Sequence, residues 1–155
     1  MLEDPSFAFV DDPTILDSEV LYRMVNAQTV RWQDGAAIRV QTNAFRDQSP
    51  QRAVSMGYRA VAVSVFLGSV MSENGIEPAH LIQDPRWQGG YGVASITAEQ
   101  VRNEGQGIVR DPKPGSPAHG LVFTKSGPKK TMGQSKALAR NSLLIIPPTG
   151  PPPGP

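Results

Sequence analysis

The sequence predicts an α+β fold with a small, mainly antiparallel sheet and two or three short helices. Short stretches rich in β-branched residues recur along the 155-residue chain, and turn signals separate them. Glycine and proline each occur 15 times, which favours a fold of short elements and many turns. The alternation of such strands with a few short helices is typical of an antiparallel sheet with helices on one face.

The strands are predicted from polar–apolar alternation and from β-branched runs. Residues 19–25 form the first strand, and Asp34-Gly35 is a tight-turn signal that predicts a hairpin between residues 28–32 and 38–42. Further strands are predicted at residues 60–67, 92–96, 107–110 and 118–124. Residues 143–146 fit either a last strand or the packed end of a helix.

Two capping boxes of the form S/T-x-x-E/Q predict helix starts. Thr97 with Gln100 fits the first, and Thr131 with Gln134 fits the second. Gly105 is predicted to end the first of these helices in the left-handed conformation. Residues 77–83 should add one or two helical turns, residues 68–74 fit a helix or a continuing strand, and residues 47–52 read as a polar loop.

The length fits a single domain, which we place between an N-terminal and a C-terminal segment. Residues 1–18 are predicted to be an acidic N-terminal arm, and residues 19–146 the folded domain. The segment 147–155, PPTGPPPGP, cannot bury a core and is predicted to be a disordered tail. The alternative for this tail is a polyproline ligand for an aromatic-grooved partner.

The composition limits the possible cellular location and the kinds of catalytic or metal site. The chain has no cysteine, which excludes disulfides, thiolate metal sites and a cysteine nucleophile. The first residues carry no basic segment followed by a long apolar run, and the apolar-leaning run 60–70 is too short to span a bilayer. We therefore predict a cytoplasmic protein that does not associate with a membrane.

Although the net charge is only +1, acidic and basic residues are concentrated in different parts of the chain. Residues 1–20 carry acidic side chains without lysine or arginine, and residues 112–142 carry six basic side chains without aspartate or glutamate. Either the two segments are solvated surfaces that attract each other across the fold, or the second segment is a basic patch for phosphate, nucleic acid or an acidic partner. The candidate anion- or partner-binding residues are Lys125, Lys129, Lys130, Lys136 and Arg140. The turn at 125–130 lacks the glycines of a phosphate-binding Walker loop.

Histidine offers the other candidate chemistry. The two histidines are His80 and His119, and both are predicted to be structural. If one is catalytic, His119 is the better candidate. No histidine–carboxylate spacing typical of a zinc site occurs, so no metal and no cofactor are predicted.

One local resemblance points to an enzyme. The strand Leu21-Tyr22-Arg23 resembles the first strand of ADP-ribosyltransferase-type folds, in which an arginine or histidine meets the nicotinamide dinucleotide. The resemblance implies a catalytic role for Arg23, a partner serine at Ser64 or Ser55, and a late glutamate at Glu99 or Glu104.

A second resemblance covers roughly residues 20–145. The segments at 20–23, 43–46, 92–94, 105–112 and 117–120 resemble small bacterial proteins of unassigned activity. This likeness implies a self-contained domain and no particular reaction.

Three function classes remain open at this point. The leading prediction is a non-catalytic interaction or accessory protein that binds another macromolecule, most simply a protein, in a bacterial multi-component system. The second is a nucleotide- or NAD-utilising enzyme with Arg23 and His119 in its site. The third is a nucleic-acid-binding module that uses residues 125–140.

Overall fold

A six-stranded antiparallel sheet organises the chain, in the order β6-β7-β4-β1-β5-β8, and a separate two-stranded hairpin accompanies it. The computed structural model describes residues 9–58, 61–87, 89–125 and 129–149. The predicted α+β class is confirmed. Five α-helices occur in the described residues, more than the two or three that the sequence predicts.

The elements follow one another along the chain with short connections. The strands are β1 (Val20–Val25), β2 (Val30–Gln33), β3 (Ala36–Val40), β4 (Val63–Leu67), β5 (Gly92–Thr97), β6 (Gln106–Arg110), β7 (His119–Thr124) and β8 (Leu143–Ile146). The helices are α1 (Pro50–Ser55), α2 (Gly68–Glu73), α3 (Pro78–Leu81), α4 (Ala98–Asn103) and α5 (Met132–Asn141). Short 3-10 helices occupy Thr42–Phe45 and Pro85–Trp87.

The hairpin and the capping boxes form as their local signals predict. Asp34 and Gly35 have φ of 53° and 78°, the left-handed values that a tight β2–β3 turn requires. Both capping boxes are complete, with the Thr97 hydroxyl accepting from the Gln100 N–H and the Gln100 side chain accepting from the Thr97 N–H. Thr131 makes the same pair of bonds at the start of α5.

Two ambiguous segments and one loop prediction are decided by the structure. Residues 68–73 form α2, and residues 143–146 form an edge strand paired with β5. The predicted loop at 47–52 contains the start of α1, where the Ser49 hydroxyl accepts from the Arg52 N–H and Pro50 is the first helical residue. A serine cap followed by proline is a helix-start signal that the sequence carries.

Helices cover both faces of the sheet, so the prediction of helices on one face is wrong. On one face, α4, α5, the hairpin and the 3-10 helix at 42–45 bury Leu21, Val65 and Leu138 in the main core. On the other face, α2 and α3 pack on Phe66 and Val93, while Ala53 of α1 packs with residues of β7. The sheet is central because both of its faces carry apolar side chains.

The segment before β1 is packed, so the folded part begins before Glu19. Ile15 is fully buried in the main core, and Phe9 contacts the rings of Tyr58 and Phe123. Among the described residues, no ion pair joins the acidic side chains of this segment to the basic segment at 125–140. Asp11 and Asp17 pair with Arg102 instead, at 3.2 and 2.7 Å.

The beginning of the proline-rich segment runs alongside the start of β5. Pro148 is buried, and the Thr149 N–H donates to the Gly90 carbonyl at 2.8 Å. A side chain at Gly92 would collide with Ile146 and Pro148, so this close approach requires glycine. Residues 150–155, the rest of the predicted tail, lie outside the described residues.

Candidate anion-binding cleft

The site begins where the centre of the sheet opens. Strand β1 pairs with β5 along six residues, but its register with β4 contains only Leu21↔Leu67 and Tyr22↔Phe66. From Arg23 onward the two central strands are no longer paired with each other. A cleft of about 410 Å³ lies at this opening and is lined by residues of β1, β4 and β7.

Arg23 occupies the opening and substitutes for the missing ladder bonds. Its Nε donates to the Ala44 carbonyl at 2.9 Å, and its Nη1 donates to the Ser64 carbonyl at 3.1 Å. A guanidinium carries five N–H donors, so donors remain for a ligand in the cleft that Arg23 lines. Arg23 forms no ion pair with any carboxylate of the described residues.

The charge of Arg23 is therefore held in a poorly solvated place, without a counter-ion among the described residues. Burial lowers its pKa well below its ordinary value, to about 10, and a smaller effect from Tyr91 opposes this shift. The group still carries its charge at neutral pH. A buried cation without a partner is unfavourable by itself, and a bound anion would relieve that cost.

His119 lies beside this opening because β7 pairs with β4. The register places His119 opposite Phe66, which is itself opposite Tyr22 of β1. The His119 Nδ1 lies 3.0 Å from the Asp111 carbonyl oxygen and 3.1 Å from the Asp111 Oδ2. Both oxygens are acceptors, so Nδ1 carries the proton and, in the neutral ring, Nε2 keeps its lone pair.

Asp111, which contacts His119, is itself held in place by two further side chains. The Tyr58 hydroxyl donates to the Asp111 Oδ2 at 2.8 Å, and the Lys113 Nζ lies 3.4 Å from the same oxygen. Burial, the hydrogen bond and the charge of Asp111 raise the pKa of Tyr58 above its ordinary value, so the phenol stays protonated and continues to donate. This chain of contacts orients the His119 imidazole at the wall of the cleft.

The lining of the cleft is strongly cationic. Its basic side chains are Arg23, Arg46, Arg52, Arg86, Lys113 and His119, and no aspartate or glutamate is among its lining residues. Arg86 and Lys113 have acidic partners in Asp84 and Asp111. The other three arginines have no ion-pair partner among the described residues, so the cleft presents an uncompensated positive charge.

An aromatic wall completes the cleft. Phe66 and Trp87 both line it, with ring centroids 6.3 Å apart and planes at 88°. The Trp87 Nε1 is buried and has no hydrogen-bond partner in the described part of the chain. Buried polar groups are normally paired, so this indole N–H is an exception within the described chain.

The structure brings Arg23 and His119, the two predicted catalytic candidates, to one cleft. Ser64 lines it too, whereas Ser55 is exposed on α1 and donates to the Arg52 carbonyl. Glu99 is exposed in the first turn of α4, and Glu104 follows that helix, so neither glutamate lines the cleft. The arginine and serine of the ADP-ribosyltransferase pattern thus meet without its glutamate.

The predicted basic set does not form one site. Lys130 is buried, with its Nζ 2.6 Å from the Asp47 Oδ1, so its charge is already neutralised. Burial lowers the pKa of Lys130, and Asp47 opposes that shift. Lys129 lines a neighbouring cleft together with Lys130, while Lys125 is exposed elsewhere.

Lys136 and Arg140 lie on a different groove, next to β3 and the 3-10 helix at 42–45. His80 is structural as predicted, since its Nδ1 accepts from the Glu77 N–H and caps α3.

Several cleft residues escape prediction from the sequence. Arg46, Arg52, Lys113 and Trp87 come from loops, a short helix and a 3-10 helix, where single residues show no periodicity. The available signal is the repeated arginine around residues 46–52, next to a helix start at Ser49-Pro50.

Comparison with protein-family models, with curated proteins and with solved structures gave no match. Within the described ranges, none of the helices is long and apolar enough to cross a bilayer.

Proposed function

We propose that this protein binds a phosphorylated small molecule of the nucleotide class in the cleft between Arg23 and His119. The observation that carries the proposal is the Arg23 guanidinium, which is partly buried, has no carboxylate partner among the described residues and lines an open cleft. Three arginines without ion pairs favour a ligand with more than one negative charge, and guanidinium groups match phosphate oxygens in geometry.

The aromatic wall supports a ligand that also carries a ring. Trp87 is only partly buried and offers an aromatic ring for stacking a base, and it packs against Phe66. Inorganic phosphate would use only the cationic side of the cleft. A nucleotide would use both sides.

His119 keeps the enzymatic alternative open. With Nδ1 engaged by Asp111, the ring has the arrangement of a general base, whose Nε2 would accept a proton from a ligand hydroxyl. The support for a nucleotide-utilising enzyme is this geometry together with Arg23 and Ser64. The missing glutamate argues against the ADP-ribosyltransferase form of that proposal.

The test is calorimetric titration with AMP, inorganic phosphate and adenosine. AMP should bind more tightly than phosphate, and uncharged adenosine should bind much more weakly than AMP. Arg23→Met should weaken AMP binding by about 10-fold or more, because a charged hydrogen-bonding partner is lost. Arg31→Met removes an exposed arginine outside the cleft and serves as the matched control.

Two results would contradict the proposal. One is equal binding of AMP and adenosine, which would remove the role of the phosphate. The other is unchanged AMP affinity in Arg23→Met.

Binding of a protein partner remains a separate proposal. Its support is the edge strand β8, where Leu143 and Ile145 are exposed beside unpaired backbone. A cytoplasmic and bacterial setting likewise remains a proposal, supported by the absence of cysteine and by the resemblance of residues 20–145.

A further inference from the structure

We infer that the nucleotide bound in the cleft belongs to a single-stranded nucleic acid, whose backbone continues into a second basic groove. This inference rests on the proposed function, because the cleft provides the first nucleotide site. It adds a larger ligand, and a surface that binds it.

The second groove has a volume of about 510 Å³ and lies between β3, the 3-10 helix at 42–45 and α5. Four of its lining residues are basic, namely Arg39, Arg46, Lys136 and Arg140, and none is acidic. None of these four forms an ion pair or donates a side-chain hydrogen bond to another described residue. Elsewhere in the described chain, Arg102, Arg110 and Lys113 all have acidic partners.

Packing fixes the position of these charges. The 3-10 helix at 42–45 packs against α5, and the Ser135 hydroxyl donates to the Phe45 carbonyl at 3.1 Å. The basic residues Lys136 and Arg140 are one helical turn apart on α5, and both line the groove. The cations are thus presented together by regular elements.

Arg46 connects the groove with the first cleft. It is exposed, follows the 3-10 helix directly, and lines both cavities. A chain of phosphates that occupies both would pass Arg46. Spaced cations along a connected path fit a polyanion with regularly spaced charges, such as a nucleic-acid backbone.

The aromatic side of the cleft points to bases rather than to phosphate alone. Trp87 lines the cleft, is only partly buried and packs against Phe66. In the groove, the Asn43 Nδ2 donates to the Gln28 carbonyl, and its Oδ1 has no partner among the described residues. An aromatic ring beside a cationic cleft suits base stacking, a contact that polyphosphate and polyglutamate do not make.

The test measures binding of fluorescein-labelled 12-nucleotide RNA and DNA of mixed sequence by anisotropy at several salt concentrations. AMP binding is measured on the same protein by calorimetry. A 12-mer should bind at least about 10-fold more tightly than AMP, and its affinity should fall steeply as salt rises. Comparing the two oligonucleotides then distinguishes RNA from DNA as the ligand.

The decisive variant is Lys136→Ala/Arg140→Ala. It should weaken 12-mer binding about 10-fold and reduce the salt slope by about 1.5, while AMP affinity stays within about twofold. The control is Lys125→Ala/Arg110→Ala, which removes two charges outside both cavities and should leave 12-mer binding nearly unchanged. Circular dichroism checks that all variants are folded.

The outcomes separate this inference from the proposed function. If AMP binds but the 12-mer binds no more tightly, the inference is overturned and the proposed function stands. Equal displacement of the 12-mer by polyphosphate or polyglutamate also overturns it, because base recognition is then absent. If neither AMP nor the 12-mer binds, both fail.

Discussion

Replacing Arg23 by methionine should leave the protein about as stable while it weakens ligand binding. Methionine keeps the aliphatic part of the side chain and removes the guanidinium. The loss of a residue that holds the fold together would instead lower the stability. Arg23→Met therefore distinguishes a ligand-binding arginine from a structural one.

The expected magnitude follows from two opposing contributions. Burial lowers the Arg23 pKa well below its ordinary value, to about 10, and this difference corresponds to about 3 kcal/mol of unfavourable free energy for holding the charge. The substitution also removes the hydrogen bonds to the Ala44 and Ser64 carbonyls, each of which contributes about 1.5 kcal/mol because the donor is charged. The two contributions nearly cancel, so the free energy of unfolding should change by less than about 1 kcal/mol, and Tm by less than about 4 °C.

The measurement belongs at neutral pH. Below about pH 10 both the folded and the unfolded chain hold the Arg23 proton, so the cost of burial is fully present. As pH rises from there towards the ordinary pKa of arginine, the folded state releases its proton first, and this cost disappears. Urea denaturation at pH 7, followed by circular dichroism, therefore measures the whole effect.

A loss of more than about 2 kcal/mol in Arg23→Met would refute this reasoning, because Arg23 would then be a structural residue. Arg31→Met should change the free energy of unfolding by less than about 0.5 kcal/mol. In thermal scans at one AMP concentration, the Tm of the unmodified protein should rise more than that of Arg23→Met.

Two further predictions concern the packing that supports the site. Lys130→Met leaves the buried Asp47 carboxylate without its cation and should lower the free energy of unfolding, measured by urea denaturation, by about 3–5 kcal/mol. The double variant Asp47→Asn/Lys130→Met should recover part of this loss. A loss under about 1 kcal/mol in the single variant would show that the ion pair is dispensable. A Cβ at Gly107 would lie 2.4 Å from the Phe123 ring, so Gly107→Ala should cost about 1–3 kcal/mol. Gly133→Ala in α5, where a Cβ meets nothing closer than 3.8 Å, should be neutral or stabilising, and equal effects of the two alanines would contradict the packing.

Much of the fold is predictable from local signals. The Asp34-Gly35 turn and the capping boxes at Thr97 and Thr131 act within a few residues, so the sequence contains their whole cause. The helix that begins at Pro50 has a similar local signal in Ser49 followed by proline, but the polar side chains of residues 47–52 predict a loop.

The arrangement of the site depends on contacts between distant residues. Arg23 and His119 are the right candidates, but their proximity follows from the pairing of β1 with β4 and of β4 with β7, which no local pattern contains. Lys130 is the opposite case, because the basic residues near it in the sequence predict a surface patch. Its contact with Asp47, 83 residues away, neutralises it in the interior.

The most direct test of the cleft uses the chain's two tryptophans as probes in a ¹H–¹⁵N correlation spectrum. The Trp32 Nε1 donates to the Ala27 carbonyl at 2.9 Å and lies outside the cleft, whereas the Trp87 Nε1 has no partner among the described residues. Titration with AMP should shift the Trp87 indole signal progressively to saturation and leave the Trp32 signal in place. In the same titration of Arg23→Met, the Trp87 signal should shift only at AMP concentrations about 10-fold higher or more. A Trp87 signal that does not respond to AMP, or that responds equally in Arg23→Met, would contradict nucleotide binding between Arg23 and His119.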